Sequence, residues 1–157
     1  MIRLAHLGAV LLIAGATPAF GQTDVCIIRG TNGIDENATQ RWRDMEARAD
    51  PAFMKAIAGV WYSEIASPAT GQVDYRYHSF QDNGLFDYQD RVCSATGCND
   101  YAGHGLFAGF FTAGRDFTLM LIVSDLNRDR ECAGGSGRLT GTDRMVDGTG
   151  TTWRRVR

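Results

Sequence analysis

The sequence predicts an all-β protein, an eight-stranded antiparallel meander barrel preceded by a short N-terminal α-helix. Turn-forming residues recur about every 10 to 14 positions after Gly59, which is the spacing of short strands joined by hairpins. Between these turns most segments alternate apolar and polar residues, as a barrel wall with one wet face does. Eight strands close into a barrel that side chains fill or that holds one small ligand.

The first residues predict export. Residues 1–21 carry one basic residue, Arg3, then an apolar run from Leu4 to Ala16 and small residues before an expected cleavage after Gly21. This is the layout of a secretory signal peptide. The apolar run is shorter than the roughly 20 residues that span a bilayer, so we expect no membrane span. The expected location is periplasmic or secreted.

Residues 22–58 are predicted to form an arm and a helix. Asn37 to Gln40 has the residue types of a capping box. Apolar residues then repeat at helical spacing and predict a helix over residues 38–49: Ala38, Trp42, Met45 and Ala49. Pro51 after Asp50 suits the first position of a second, short helix. Gly59 ends that helix, and the barrel, residues 59–157, begins there.

The barrel strands are predicted from turn chemistry. Gly-, Asn- and Asp-rich turns such as Asp82 to Gly84 and Gly134-Gly135 separate the segments. The expected strands are residues 60–66, 72–80, 85–92, 101–111, 117–124, 136–141, 143–147 and 151–156.

One strand is predicted to need a cover on its outside. The run from Phe117 to Val123 is apolar on both faces, and an apolar outer face must be shielded from water. The helix that bears Trp42 and Met45 has the only apolar stripe available for this. We therefore expect it to pack over Met120 and Ile122, with a dimer interface as the competing explanation.

Four cysteines form an even set in a chain predicted to be exported, so two disulfides are expected and three pairings are open. Cys93 and Cys98 flank a predicted hairpin loop, so we expect these two to pair. Cys26 would then fasten the arm to the loop that contains Cys132. A metal site is the rival interpretation, which the Cys-x4-Cys spacing disfavours. We expect neither a metal nor another cofactor.

Both ends of the barrel region resemble those of a known family. Gly59, Trp61, Tyr62, Glu64 and Ile65, with Trp153-Arg154 near the end of the chain, resemble the lipocalin signature and that of the wider calycin-like group of small barrels. Residues 53–57 stand where lipocalins carry a helical lid.

The resemblance implies three roles at the barrel floor. Gly59 lets the chain turn tightly into the first strand, and Trp61 plugs the floor. Arg154 would lie over the Trp61 indole in a cation–π contact. Arg155 is the alternative, because neighbouring residues of a strand face opposite sides and the register is not fixed by the sequence.

Aromatic residues on two adjacent strands are the candidate binding site. Alternation groups Tyr75 and Tyr77 on one strand, and Phe86 and Tyr88 on the next. If like faces converge, these rings line a cavity for a small apolar ligand; the alternative is that they fill the interior. The sequence thus predicts an exported, lipocalin-like, non-catalytic binding protein. The alternative is a filled barrel that binds another protein of the cell envelope.

Composition and motifs disfavour other functions. The formal net charge of −2 gives no reason to expect a nucleic-acid partner. His78 and His104 have no metal-site spacing, and Ser136 between two glycines lacks the strand-to-helix context of a nucleophile. Asp125 to Glu131 starts like a calcium loop but lacks the required glycine. We expect no enzymatic activity and a monomer or weak dimer.

Overall fold

The computed structural model describes residues 25–125 and 130–156. Helices α1 Glu36–Ala47 and α2 Pro51–Ile57 precede the strands. Each strand pairs antiparallel with the next, and β8 pairs with β1, so the sheet is a closed barrel as predicted. The strands are β1 Gly59–Ser67, β2 Gln72–Phe80, β3 Leu85–Ser94, β4 Gly97–Ala113, β5 Asp116–Asp125, β6 Glu131–Leu139, β7 Arg144–Asp147 and β8 Thr152–Arg155. The predicted signal peptide lies outside the described residues.

Carboxylates cap both helices. The Asp35 side chain accepts a hydrogen bond from the Ala38 amide at 2.8 Å, so α1 begins earlier than predicted and Asn37 is not its N-cap. Asp35 takes this position because it precedes the first helical turn, whose free amide hydrogens need an acceptor. Asp50 caps α2 in the same way, with Pro51 in the first turn as predicted.

Helix α1 packs on the outer wall of the barrel. Trp42 is 2% exposed and lies in one apolar cluster with Met120 and Ile122 of β5. The disulfide between Cys26 and Cys132 fastens the arm to β6 beside this cluster. The packing prediction and this pairing are therefore confirmed, and the apolar outer face of β5 is covered from within the chain.

The second predicted disulfide is also present. Cys93 and Cys98 face each other across the β3–β4 hairpin, with Cα atoms 4.0 Å apart. Disulfides persist in oxidising compartments, so both bonds are consistent with a periplasmic or extracellular location. Within residues 25–125 and 130–156, neither helix has the length and apolar character needed to cross a membrane.

The prediction for β6 is wrong. We expected a turn at Gly134-Gly135, but β6 spans Glu131–Leu139 and these glycines lie in its middle. Of the glycines in β6, Gly137 serves for close packing, whereas a Cβ atom at Gly134 would meet nothing within 4 Å. At Gly137 a Cβ atom would lie 2.6 Å from the Val146 carbonyl oxygen and 2.7 Å from the Phe117 ring. A glycine-rich segment is typical of a turn, but it also occurs in a strand that another backbone approaches closely.

Helix α2 closes one end of the barrel. Phe53 and Ile57 are fully buried and belong to the same cluster as the inner side chains of the strands. The Phe53 ring contacts those of Phe111 and Phe117, with centroids 5.4 and 5.3 Å apart. We call this the closed end. The opposite end, bounded by the turns at 68–71, 95–96 and 148–151, is called the open end.

Trp61 fills the closed end, and its cationic partner is Arg155. The indole is 0% exposed and donates a hydrogen bond to the Ile57 carbonyl at 2.7 Å. Because β1 pairs Trp61 with Arg155, the Arg155 guanidinium lies 4.6 Å from the indole centroid. Arg154 faces outward over Tyr62. The prediction of Arg154 as the partner is therefore wrong, and the alternation of the strand is the reason.

Asp147 holds the β7–β8 hairpin together. Its carboxylate accepts hydrogen bonds from the Trp153 indole at 2.9 Å and from the amides of Thr149 and Thr151 at 2.9 and 3.0 Å. Burial acts to raise the pKa of this carboxyl. The hydrogen bonds outweigh burial, so the pKa of Asp147 lies below its usual range. A carboxyl with a lowered pKa stabilises the folded protein above its unfolded pKa, and this contribution is lost as the pH falls through the folded pKa.

Asp147→Asn is expected to lower the free energy of unfolding by about 1 to 3 kcal/mol at neutral pH, because the amide cannot accept all of these bonds. The difference from wild type should shrink as the pH falls from about 5 towards about 2. Urea unfolding at a series of pH values measures this difference in the free energy of unfolding. Asp82→Asn, in the exposed β2–β3 turn, is the control. A difference that does not vary with pH would show that the ionised carboxylate is not what stabilises the hairpin.

Candidate functional site: the open end of the barrel

The register between β2 and β3 decides which side chains face the interior. Phe80 pairs with Phe86, and both are buried in the inner cluster. Residues directly opposite one another share a face, and the face alternates along each strand. His78 and Tyr88 are therefore an inner pair, whereas Tyr77 pairs with Gln89 on the outside.

The four candidate ligand residues do not share one cavity. Phe86 and Tyr88 face inward, but Tyr75 and Tyr77 face outward, so the predicted convergence of these rings is wrong. Tyr77 is 46% exposed and lies 4.8 Å from the Tyr62 ring on the outer wall. The alternation within each strand was predicted, but the hairpin register was not. That register turns the polar face of β2 inward.

The inner face of β2 is consequently polar. Asp74, Arg76 and His78, expected to face water, point into the barrel. At one level, four inner residues face each other across β1 to β4: Ser63 pairs with Arg76, Arg76 with Asp90, and Asp90 with Tyr101. We call these four residues the polar row. It lies above the apolar filling of the closed end.

Ion pairs join the polar row to its neighbours. The Arg76 guanidinium donates to the Asp74 carboxylate at 3.1 Å, and Gln72 donates to the same carboxylate at 2.7 Å. His78 Nε2 lies 3.4 Å from Asp90 Oδ1. The His78 and Asp90 side chains keep 21% and 24% of their exposure, so solvent reaches them through the open end.

Aromatic rings form the floor beneath the polar row. The His78 imidazole lies 4.6 Å from the Trp153 ring and 5.4 Å from the Phe86 ring, measured between centroids. Tyr88 is the next ring along β3, with its centroid 6.1 Å from that of His78. Below these rings the interior is packed with apolar side chains. The closed half of the interior is therefore filled, and any binding volume lies above the floor.

The wall opposite the polar row is apolar and built of small residues. Its inner positions follow from the pairing of β5 with β6, which sets Leu121 opposite Ala133 and Leu119 opposite Gly135. Ala133 faces inward and is nevertheless exposed, as a residue at an open mouth is. A molecule entering here would have hydrogen-bonding groups on one side and apolar surface on the other.

The barrel wall is low on one side of the open end. Strands β7 and β8 have four residues each. In the described pairings β8 reaches only Trp61 and Tyr62 of β1, and β7 reaches only residues 137–139 of β6. The upper part of β1, from Ser63, thus borders a gap. A cavity of about 200 Å³ lies there on the outer wall, lined by Tyr62, Ser63, Glu64, Arg144, Thr152 and Arg154.

Two buried polar atoms in the polar row lack hydrogen-bond partners. The Ser63 hydroxyl is one, in a residue that is 2% exposed. Asp90 Oδ1 is the other: His78 Nε2 lies 3.4 Å from it but does not make a hydrogen bond to it. An unsatisfied buried polar atom costs about 1 to 3 kcal/mol. Such atoms in a native protein call for an explanation, and a bound ligand is one that fits a row of inward polar groups.

Two cavities larger than the one beside Ser63 lie along the outer wall. Grooves of about 550 and 540 Å³ run over β2 to β4 and share Tyr77 and Gln89. Tyr75 lines the first, which also reaches Asp90 and Tyr101 of the polar row, and Val156 lines the second. Both grooves are open to solvent on one side. Tyr75 and Tyr77, which were predicted to line the interior, line these grooves instead.

Neither the protein-family models, nor the curated proteins, nor the solved structures gave a match to this chain. The fold itself is a small closed eight-stranded barrel, which is also the architecture of lipocalins. Function must therefore be inferred from the site, because a fold of this kind serves many functions.

Sequence patterns did not place five of the polar residues inside the barrel, namely Ser63, Asp74, Arg76, His78 and Asp90. Asp90 and His78 had a usable signal. Phe80 and Phe86 flank the Asp82 to Gly84 turn symmetrically, and two large apolar residues at the ends of a hairpin favour a shared inner face. Ser63 has no such signal, because a serine in a strand is ordinary.

Proposed function

We propose that this protein is an exported, lipocalin-like binding protein that holds a small molecule at the open end of its barrel and acts without catalysis. The single observation that carries the proposal is the polar row, which the strand register turns into the barrel although the sequence presents it as a wet face. Burying polar groups inside a small barrel costs free energy unless these groups are hydrogen-bonded or paired, and a bound ligand can supply the missing partners.

The surroundings of the polar row indicate what the ligand looks like. The floor of His78, Trp153 and Tyr88 is aromatic, and the opposite wall of Leu121 and Ala133 is apolar. Pockets that combine an apolar lining with a few polar groups bind small molecules in a fixed orientation. We therefore revise the purely apolar ligand expected from the sequence to one with an apolar body and a polar end.

The outer grooves favour a second candidate function. Tyr77 is 46% exposed and lines both grooves, and tyrosine is enriched where proteins bind one another. A barrel that used this surface would be the interaction module of the cell envelope that the sequence left open as the alternative. The two candidates differ in where the ligand sits: inside the open end, or on the outer wall of β2 to β4.

A neutral apolar fluorophore, N-phenyl-1-naphthylamine, tests the proposed function. We expect its fluorescence to rise saturably with one molecule bound per barrel. Ala133→Phe should abolish this signal, because the new ring would point into the open end opposite the polar row. Ser136→Phe is the matched control. It introduces the same ring on the same strand, but on the outer face, so the signal should persist.

Two outcomes would count against the proposal. If Ala133→Phe binds the fluorophore as well as wild type, the apolar probe lies outside the barrel. If Tyr77→Ala removes the signal while Ala133→Phe keeps it, the outer groove is the binding surface and the second candidate replaces the first. Circular dichroism of each variant shows that the fold is retained.

A further inference from the structure

We propose that the ligand of the open end is an organic cation, a protonated amine carrying a small apolar body, with Asp90 as its counter-ion. This rests on the proposed function, because it names the chemistry of the ligand at that same site. It follows from what surrounds Asp90, from the charge balance of the inner face, and from the unpartnered hydroxyl of Ser63.

Asp90 is a carboxylate surrounded by rings. Tyr101 faces it directly across the sheet, Tyr88 precedes it on the same face of β3, and His78 lies 3.4 Å away on β2. Its Oδ1 is buried beside the His78 imidazole and makes no hydrogen bond, while the side chain as a whole is 24% exposed. A carboxylate among aromatic rings offers an ammonium group both an ion pair and cation–π contacts.

The charges of the inner face favour a cation over an anion. Arg76 is the one guanidinium among the inward strand residues at the open end that the structure describes, and it is bound to Asp74 at 3.1 Å. Its neighbour across the sheet is Asp90. Two carboxylates thus flank a single guanidinium, so with a neutral His78 imidazole the charge left over is negative. An anionic ligand at Arg76 would also lie beside these two carboxylates.

The Ser63 hydroxyl supplies a second contact in the same row. It lies on the far side of Arg76 from Asp90, it is 2% exposed, and it has no hydrogen-bond partner. Two strand spacings, about 9 to 10 Å, separate it from Asp90, so it would bind a polar atom of the ligand other than the ammonium, or a water.

Isothermal titration with three compounds that share a phenyl ring and a two-carbon linker tests this inference. The compounds are 2-phenylethylamine, 2-phenylethanol and 3-phenylpropionate, which are cationic, neutral and anionic at neutral pH. We expect the amine to bind wild type at least about tenfold more tightly than the alcohol, the effect of one favourable ion pair, and the acid to bind most weakly.

Asp90→Asn is expected to remove the preference for the amine, since it keeps the shape and removes the charge. Asp87→Asn is the matched control: it lies on the same strand, faces outward and should leave the preference intact. Ser63→Ala should leave the preference for the amine intact, because Ser63 lies two strands away from Asp90. The comparison of the three compounds on wild type decides the charge preference even if Asp90→Asn fails to fold.

Three results would overturn the inference. They are an alcohol or acid that binds wild type as tightly as the amine, an amine preference that survives in Asp90→Asn, and no binding by any of the three compounds. None of these overturns the proposed function, which depends on the fluorophore and the Ala133→Phe variant. A barrel that binds the fluorophore inside but shows no amine preference would keep its function and lose only the cationic ligand.

Discussion

Trp61→Ala is expected to lower the free energy of unfolding by about 3 to 5 kcal/mol, the cost of truncating a large aromatic side chain in a packed core. The indole is fully buried at the closed end, where it donates a hydrogen bond to the Ile57 carbonyl and lies beneath the Arg155 guanidinium. Alanine would leave a cavity and would remove the hydrogen bond to that carbonyl, while the Arg155 guanidinium would keep its hydrogen bonds to the Ala56 and Ala58 carbonyls.

Urea unfolding followed by circular dichroism measures this loss. Tyr77→Ala is the control, since Tyr77 is a ring of comparable size that lies half-exposed on the outer wall. It should cost less than about 1 kcal/mol, as exposed positions usually do. A loss below about 1 kcal/mol for Trp61→Ala as well would place the indole outside the core and contradict its role in closing the barrel.

Replacing Cys26 and Cys132 together by alanine is expected to lower the free energy of unfolding by about 4 to 5 kcal/mol. This disulfide closes a loop of 106 residues, so it restricts the unfolded chain far more than the bond between Cys93 and Cys98, whose separation is 5. By the same entropic estimate the short loop contributes about 2 kcal/mol. The long-range bond also holds the arm beside α1 on the outer wall.

The two double alanine variants are compared by thermal and urea unfolding of oxidised protein. We expect the Cys26/Cys132 variant to be the less stable of the two, and α1 to lose protection from hydrogen exchange in that variant only. Equal losses in the two variants would mean that loop length does not set the contribution of these bonds. A larger loss for the Cys93/Cys98 variant would mean that the β3–β4 hairpin depends on its cross-link.

Much of the fold could be predicted because its determinants are local. Turn residues mark most strand ends, and Asp50-Pro51 marks the start of α2. The apolar outer face of β5 predicted a cover, and the Trp42 stripe predicted which helix provides it. Each of these follows from residues within one element or from a mismatch that only one other element can satisfy.

What could not be predicted depends on contacts between distant residues. Arg155, rather than Arg154, lies over Trp61 because β8 meets β1 in one particular register. Gly137 of β6 allows close approach by Phe117 and β7, which no local pattern distinguishes from a turn. A shift of one residue in pairing reverses the face of every side chain on a strand.

The prediction of the candidate site depended most on the strand register. With the other register, Tyr75 and Tyr77 would face inward and the polar residues of β2 would face water, as the sequence led us to expect. The pairing of Phe80 with Phe86 reverses both. A cavity of tyrosines for an apolar ligand is thereby replaced by the polar row above an aromatic floor, and the expected chemistry of the ligand changes with it.

Native mass spectrometry of the protein purified from the periplasm of an expression host tests most directly whether the barrel carries a small molecule. We expect one adduct per chain, released on denaturation, and absent from Ala133→Phe but present in Ser136→Phe. The released molecule would also show by its charge whether it is an amine. A bare chain in both wild type and Ser136→Phe, four hydrogens lighter than the reduced form because of its two disulfides, would contradict a bound ligand.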